Sequence, residues 1–265
     1  MIEVDQTMTD RQIDSDLEAE ARRILAEVEG RGMRVKLLGG IAILIALGDR
    51  FHPALRREYG DIDLFTTKSF CSGVEALLPE LGWEPASQFN ALNGARRLLF
   101  SDPGTGRKID GFIDEFEMCH KLPLARRFDL PGVTLSPSEL LMTKLQIIEL
   151  NAKDRGDCYA LLLGFPVTDE PAVGAGGSVD SIDLDGITSL TGRDWGLQHT
   201  FELNLERLRS GLEESPLPEP DRETVRDSVA RIEAALEAAP KSRGWKLRAR
   251  VGERKKWYDE PEEID

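Results

Sequence analysis

The run "RVKLLGGIAILIALGDR", residues 34–50, constrains the fold more than any other stretch of this chain. Its apolar part is the longest in the sequence, yet it falls far short of the ~20 residues that a membrane-spanning helix needs. It therefore belongs inside a protein core. Gly39 and Gly40 divide it, so that "RVKLL" reads as a short strand, the glycine pair as a turn, and "IAILIALGD" as a buried helix. A helix apolar on every side must be covered all round, by a sheet and by other helices.

The rest of the chain supplies such partners. Ile13, Leu17, Ala21 and Ile24 repeat at helical spacing over residues 10–31. "DIDLFTT" reads as a strand and "SFCSGVEALLPELG" as a helix closed by Gly82. "WEPASQFNALNG" and "ARRLLFSD" suggest a hairpin, and "RKIDGFID" a further strand after the loop "DPGTG". Beyond residue 130 the pattern turns helical. "LSPSELLMTKLQIIEL" opens with Ser136 and Pro137 in the manner of a capped helix, and "KDRGDCYALLLG" continues as a second one. Residues 165–180, rich in Gly, Pro and Ala, read as a loop, with more helix beyond. The expected class is α+β, a small mixed sheet with flanking helices in residues 1–130 and a helical region in 131–265.

Charge and cysteine usage narrow the setting. A formal net charge of −14 disfavours non-specific attraction to nucleic acid or to an anionic membrane. The acidic, polar start "MIEVDQTMTDRQIDSD" does not resemble a signal peptide. Cys71, Cys119 and Cys158 stand apart without disulfide or zinc spacing. A cytoplasmic protein with no membrane partner is the expectation. His52, His120 and His199 read as incidental, as does the adjacent pair Cys119-His120.

Chemistry concentrates in "RREYGDIDLF". Asp61 and Asp63 lie two apart on a strand, so their side chains share a face, and two like charges so close call for a lysine, water or a metal between them. The alternative is a solvated strand edge. Upstream, Gly39 and Gly40 would let the backbone and a helix N-terminus approach a phosphate. Downstream, "KIDGFID" carries Asp110 and Asp114, with Asp114 beside Glu115 and Glu117 reading as a surface charge. Three such carboxylates are what a pair of Mg²⁺ ions about 3.5–4 Å apart requires.

Taken together, "LLGGIAILIAL … REYGDIDLF … KIDGF" resembles the polymerase-β-type nucleotidyltransferase superfamily, and "LSPSELLMTKLQIIELNAKDRGDCYALL" resembles its AbiEii-like toxin branch. The resemblance covers residues 35–163. It implies that Gly39 and Gly40 stand on the phosphate side, that Asp61, Asp63 and Asp110 are metal ligands, and that Lys144 faces the triphosphate. Asp157 would be the later acidic residue, although Asp154 aligns as well. Ile41 departs from the family, where a small residue commonly follows the glycines. The implied activity is Mg²⁺-dependent, ATP- or NTP-consuming transfer of a nucleoside monophosphate to an acceptor hydroxyl. The acceptor could be an RNA 3′ end, a protein or a small antibiotic, and an antitoxin protein would be the partner of a toxin. A nucleotide- or partner-binding module without turnover is the rival reading. Finally, the basic stretch "KSRGWKLRARVGERKK", residues 241–256, is either a solvated terminal element or an RNA-binding patch using Arg248, Arg250, Arg254 and the flanking aromatics.

Overall fold

A computed structural model describes Ile13 and residues 16–260. Helix α1 (Leu17–Gly30) starts at Asp16, whose side chain accepts from the Glu18 amide at 2.9 Å. Ile13 stands outside it, and residues 10–12, part of the helix expected from the sequence, lie outside the described residues. Strand β1 (Lys36–Leu38) runs straight into α2 (Gly39–Leu47). The glycine pair is therefore not a separate turn. Gly39, at φ +71°, makes the whole reversal in one residue, and Gly40 is already helical.

Strands β2 (Asp61–Thr66), β3 (Glu84–Pro85), β4 (Arg97–Ser101) and β5 (Lys108–Ile113) complete a five-stranded mixed sheet in the order β1-β2-β5-β4-β3. Only the β2–β5 pairing is parallel; α3 (Lys68–Glu80), β3 and β4 lie between these two strands in sequence. The hairpin expected over residues 83–101 forms only at its ends. Between β3 and β4 the chain makes helix α4 (Ser87–Asn93), because the Asn90 side chain supplies what a longer strand would have. It accepts from the Leu99 amide at 2.7 Å and donates to the Leu99 carbonyl at 3.1 Å, satisfying the β4 backbone from inside a helix.

Short strands β6 (Phe116–Glu117) and β7 (Lys121–Leu122) lead to the helical region. Helix α5 (Pro137–Leu145) carries a full capping box, with Ser136 and Glu139 bonding each other's amides, and ends before the Leu150 at which the expected run closes. Then come α6 (Ala152–Gly164), β8 (Val167–Thr168) paired in parallel with β9 (Ile182–Asp183), α7 (Leu184–Thr191), α8 (Trp195–Gly211), α9 (Glu219–Ala238) and α10 (Arg243–Val251). The chain is thus α+β, a small mixed sheet followed by a helical part. One apolar core runs through both, from Leu17 and Ile62 to Val229 and Leu236. Helix α2 is the bridge, packing on β1 and β2 on one side and on α5 and α6 on the other. No helix among the described residues is long and apolar enough to cross a membrane.

Candidate active site

On β2 the buried side chains Ile62 and Leu64 alternate with Asp61 and Asp63, so one sheet face is apolar and the other acidic. In the parallel register Asp63 stands opposite Asp110 of β5, and Asp61 opposite Lys108. Strand spacing puts facing Cα atoms roughly 4.8 Å apart, so Asp63 and Asp110 point the same way as close neighbours. The three carboxylates expected from the sequence do share one face. Asp61 is exposed and Asp63 partly buried. Among the described residues, neither carboxylate has a hydrogen-bond or salt-bridge partner. Burial, then the charges of Asp61 and Asp110, hold the Asp63 pKa well above the usual carboxylate value; Lys144 and Arg97 offset only part of this.

The glycines close the site from the side. A Cβ on Gly39 would stand 1.8 Å from the Asp63 Oδ2, which with its positive φ makes glycine obligatory there. A Cβ on Gly40 would stand 2.6 Å from Arg57 Nη2 and from the Tyr59 ring. Among the described residues no side chain caps the start of α2, which leaves its first-turn amides without a side-chain acceptor.

Asp110 is already taken. Arg97, from the neighbouring strand β4, donates two hydrogen bonds to its carboxylate, one at 2.8 Å and a shorter one. Burial raises the Asp110 pKa although this guanidinium pulls it down. Asp114, by contrast, serves the fold. At φ +62° it accepts from the Lys68 amide at 3.2 Å and so caps the start of α3.

Lys144, Asp154 and Asp157 form a second charged group beside the first. The Lys144 ammonium lies 2.8 Å from Asp154 and 3.0 Å from Asp157. Arg57 clamps Asp157 through Nε at 3.1 Å and Nη2 at 2.8 Å. Burial alone would lower the Lys144 pKa, but Asp157 and Asp154 outweigh it and raise the pKa above lysine's ordinary value. Lys144 is therefore not a solvated helix-edge lysine, and both alignable aspartates hold it. The Arg57 guanidinium stacks 4.3 Å over the Tyr59 ring, whose hydroxyl is buried without a hydrogen-bond partner among the described residues.

Three residues escaped the sequence reading. Arg57 and Tyr59 were legible in principle, four and two residues ahead of Asp61, where a cation and an aromatic precede a pair of acids. Arg97 is found only through the β4–β5 register. The histidine and cysteine pair does not meet in catalytic fashion: His120 Nε2 bonds Thr200 Oγ1 at 2.8 Å, and the Ile148 amide donates to Cys119 Sγ at 3.4 Å. In the basic C-terminal stretch Arg248 lies 4.7 Å over Trp195 and donates to the Gly252 carbonyl, while Trp257 Nε1 donates to Thr200. Arg248 and Trp257 are thus tied into the packing around α8.

A divalent ion fits this site in part. Asp61 and Asp63 offer hard oxygen donors in excess negative charge, the chemistry Mg²⁺ takes. Asp110 is held by Arg97, and among the described residues no three His, Cys, Asp or Glu side chains converge as a ready metal site.

No protein-family model and no curated protein matches the chain. Two solved structures are similar to it. The antibiotic-resistance factor ANT(2'')-Ia has 16% identity and a TM-score of 0.39, over 55% of this chain and 82% of that one. An antigenic nucleotidyltransferase-like protein from Paracoccidioides brasiliensis has 14% identity and a TM-score of 0.41, over 86% of this chain and 95% of that one.

Proposed function

We propose that the chain is a Mg²⁺-dependent nucleotidyltransferase that moves a nucleoside monophosphate from an NTP such as ATP to an acceptor hydroxyl. The observation that carries this reading is the pair Asp61–Asp63, without a hydrogen-bond or salt-bridge partner among the described residues, with Asp63 facing Asp110 across the β2–β5 register and standing against Gly39 at the start of α2. Asp61 and Asp63 would hold the metal ions, with Asp110 completing the set on the acceptor's side. Bound there, Mg²⁺ would supply charge neutralisation for the phosphates and a lowered pKa for the attacking hydroxyl. The α2 amides past Gly39 and Gly40 offer donors to the phosphates. Lys144, fixed by Asp154 and Asp157, and Arg57, held on Asp157, would border the phosphates as a charge-balanced group. The acceptor oxygen forms the new bond to the α-phosphorus as the α–β bridging bond breaks, and pyrophosphate leaves with that electron pair. The hydroxyl proton departs toward the Asp110 side and the solvent.

The resemblance to AbiEii-like toxins favours an RNA 3′ end or a protein as acceptor, an antitoxin as partner and the cytoplasm as the place of action; a small-molecule acceptor is the third option. One observation favours the second reading, a nucleotide-binding module without turnover: the hold of Arg97 on Asp110. Incubation with each labelled NTP, Mg²⁺ and total cellular RNA or protein separates the two. Covalent label on an acceptor, absent from Asp61→Asn/Asp63→Asn, is the expected result. Nucleotide binding without label in any fraction would favour the module.

A further inference from the structure

The third carboxylate of the site is not free, and the way it is held points to a device. Arg97 and Asp110 form a two-bond pair diagonally across adjacent strands, with side-chain exposures of only 14% and 16%. A charge-assisted pair of this geometry is strong, and it is retained where water competes little. The same guanidinium lies 5.0 Å from the Phe112 ring centroid and 6.0 Å from that of Phe89, so the aromatic floor under it continues away from Asp110. That floor belongs to a cavity of about 220 Å³, also lined by Arg96, Glu115 and Glu117. Glu117 is already engaged by Arg96 at 3.5 Å and Lys121 at 3.0 Å. Glu115 is exposed and has no salt-bridge partner among the described residues.

We propose that Arg97 is a built-in counter-cation of the metal site: it holds Asp110 while the site lacks divalent ions, and yields that carboxylate to an arriving ion by swinging over Phe112 into the adjacent cavity. The proposal rests on the metal-dependent reading above. Three carboxylates on one sheet face cannot all stay ionised close together without positive charge. Arg97 supplies one unit of it, bonded to Asp110, which leaves the other two carboxylates to be balanced by something else. A divalent ion supplies more charge at the same place, so the two cations compete for one carboxylate. The displaced guanidinium keeps its aromatic stacking and gains Glu115 as a landing group. Arg97 is thus a positioning residue, acting through Asp110 rather than on the substrate.

The test is calorimetric titration of the full chain with Mn²⁺, without nucleotide. Arg97→Met keeps the apolar stem on Phe112 and removes the competitor. It should bind Mn²⁺ about tenfold more tightly than the parent, the change expected when one competing charged pair is lost. Arg97→Met/Asp110→Asn should lose that gain, and Arg97→Lys should fall between. Equal or weaker binding by Arg97→Met, where the parent binds, overturns the proposal and leaves the arginine a structural residue. No binding by the parent or any variant removes the metal site itself, and the proposal with it. Should Arg97→Met fail to fold, the parent decides. The side-chain Nε–H signal of Arg97 in a nitrogen-15 spectrum should shift on saturation with Mg²⁺, and an Arg97 signal that stays in place overturns the proposal.

Discussion

Two groups of charge lie side by side in this molecule, and folding has treated them oppositely. Arg57, Lys144, Asp154 and Asp157 come from three separate segments and form a closed set of two cations and two anions, every one partnered. Asp61, Asp63 and Asp110 come from two strands, and among the described residues only Asp110 is in a salt bridge, with Arg97. The first group carries no unbalanced charge, so its cost is the lost hydration of its ions, set against their mutual attraction. The second keeps like charges together at a cost in stability. A chain able to balance four charges in one place could have balanced three in another. Leaving them unbalanced makes sense when something outside the chain supplies the missing positive charge.

The contrast is broken most severely at its balanced end. Lys144→Met would leave Asp154 and Asp157 buried with only Arg57 between them. A loss of about 3–5 kcal/mol in chemical unfolding is expected, the usual result of removing one partner of a buried pair. Next comes Gly39→Ala, which places a non-glycine residue in the left-handed region and its Cβ on the Asp63 carboxylate. It should cost about 2 kcal/mol from backbone conformation alone, and weaken ligand binding as Asp63 is pushed aside.

Asp63→Asn should act in the other direction. The folded pKa of Asp63 is raised above its unfolded value, so the native state binds more protons than the unfolded one between the two. Stability is therefore expected to fall as pH rises through that window, and Asp63 opposes folding once ionised. The Asn variant should be more stable at neutral pH without metal, by up to about 1 kcal/mol, and its melting temperature should vary less with pH in the mildly acidic range. The smallest effect belongs to Tyr59→Phe. Removing a buried hydroxyl with no partner should leave stability unchanged or raise it by less than about 1 kcal/mol. If that hydroxyl instead serves a bound nucleotide, the variant's nucleotide affinity will fall while its melting temperature does not.

How much of this was legible in the sequence depends on how local each feature is. The β1–α2 unit and the two aspartates on one face follow from apolar runs and the two-residue period of a strand, both written in consecutive residues. The same locality misled at residues 83–101, where the weak alternation suggested a hairpin. Asn90 there satisfies Leu99 from a helix, a side-chain solution that no propensity anticipates. The partners of the charges are the least legible of all. Arg57 reaches Asp157 across 100 residues, and Arg97 meets Asp110 only because β4 and β5 are neighbours in a given register. The basic stretch at 241–256 likewise looked free in sequence, yet Arg248 and Trp257 are bound into the α8 surface.

The central claim is that the acidic face of β2 and β5 is a site for divalent ions and a nucleotide. Its most direct test is the melting temperature with and without Mg²⁺ plus a non-hydrolysable NTP, compared between the parent and Asp61→Asn/Asp63→Asn. A ligand bound to the native state at about 100 times its Kd adds roughly 2.7 kcal/mol. The account predicts a clear upward shift for the parent and little or none for the double variant. An equal shift in both would mean that the ligand sits elsewhere, and that these aspartates are no more than a charged strand edge.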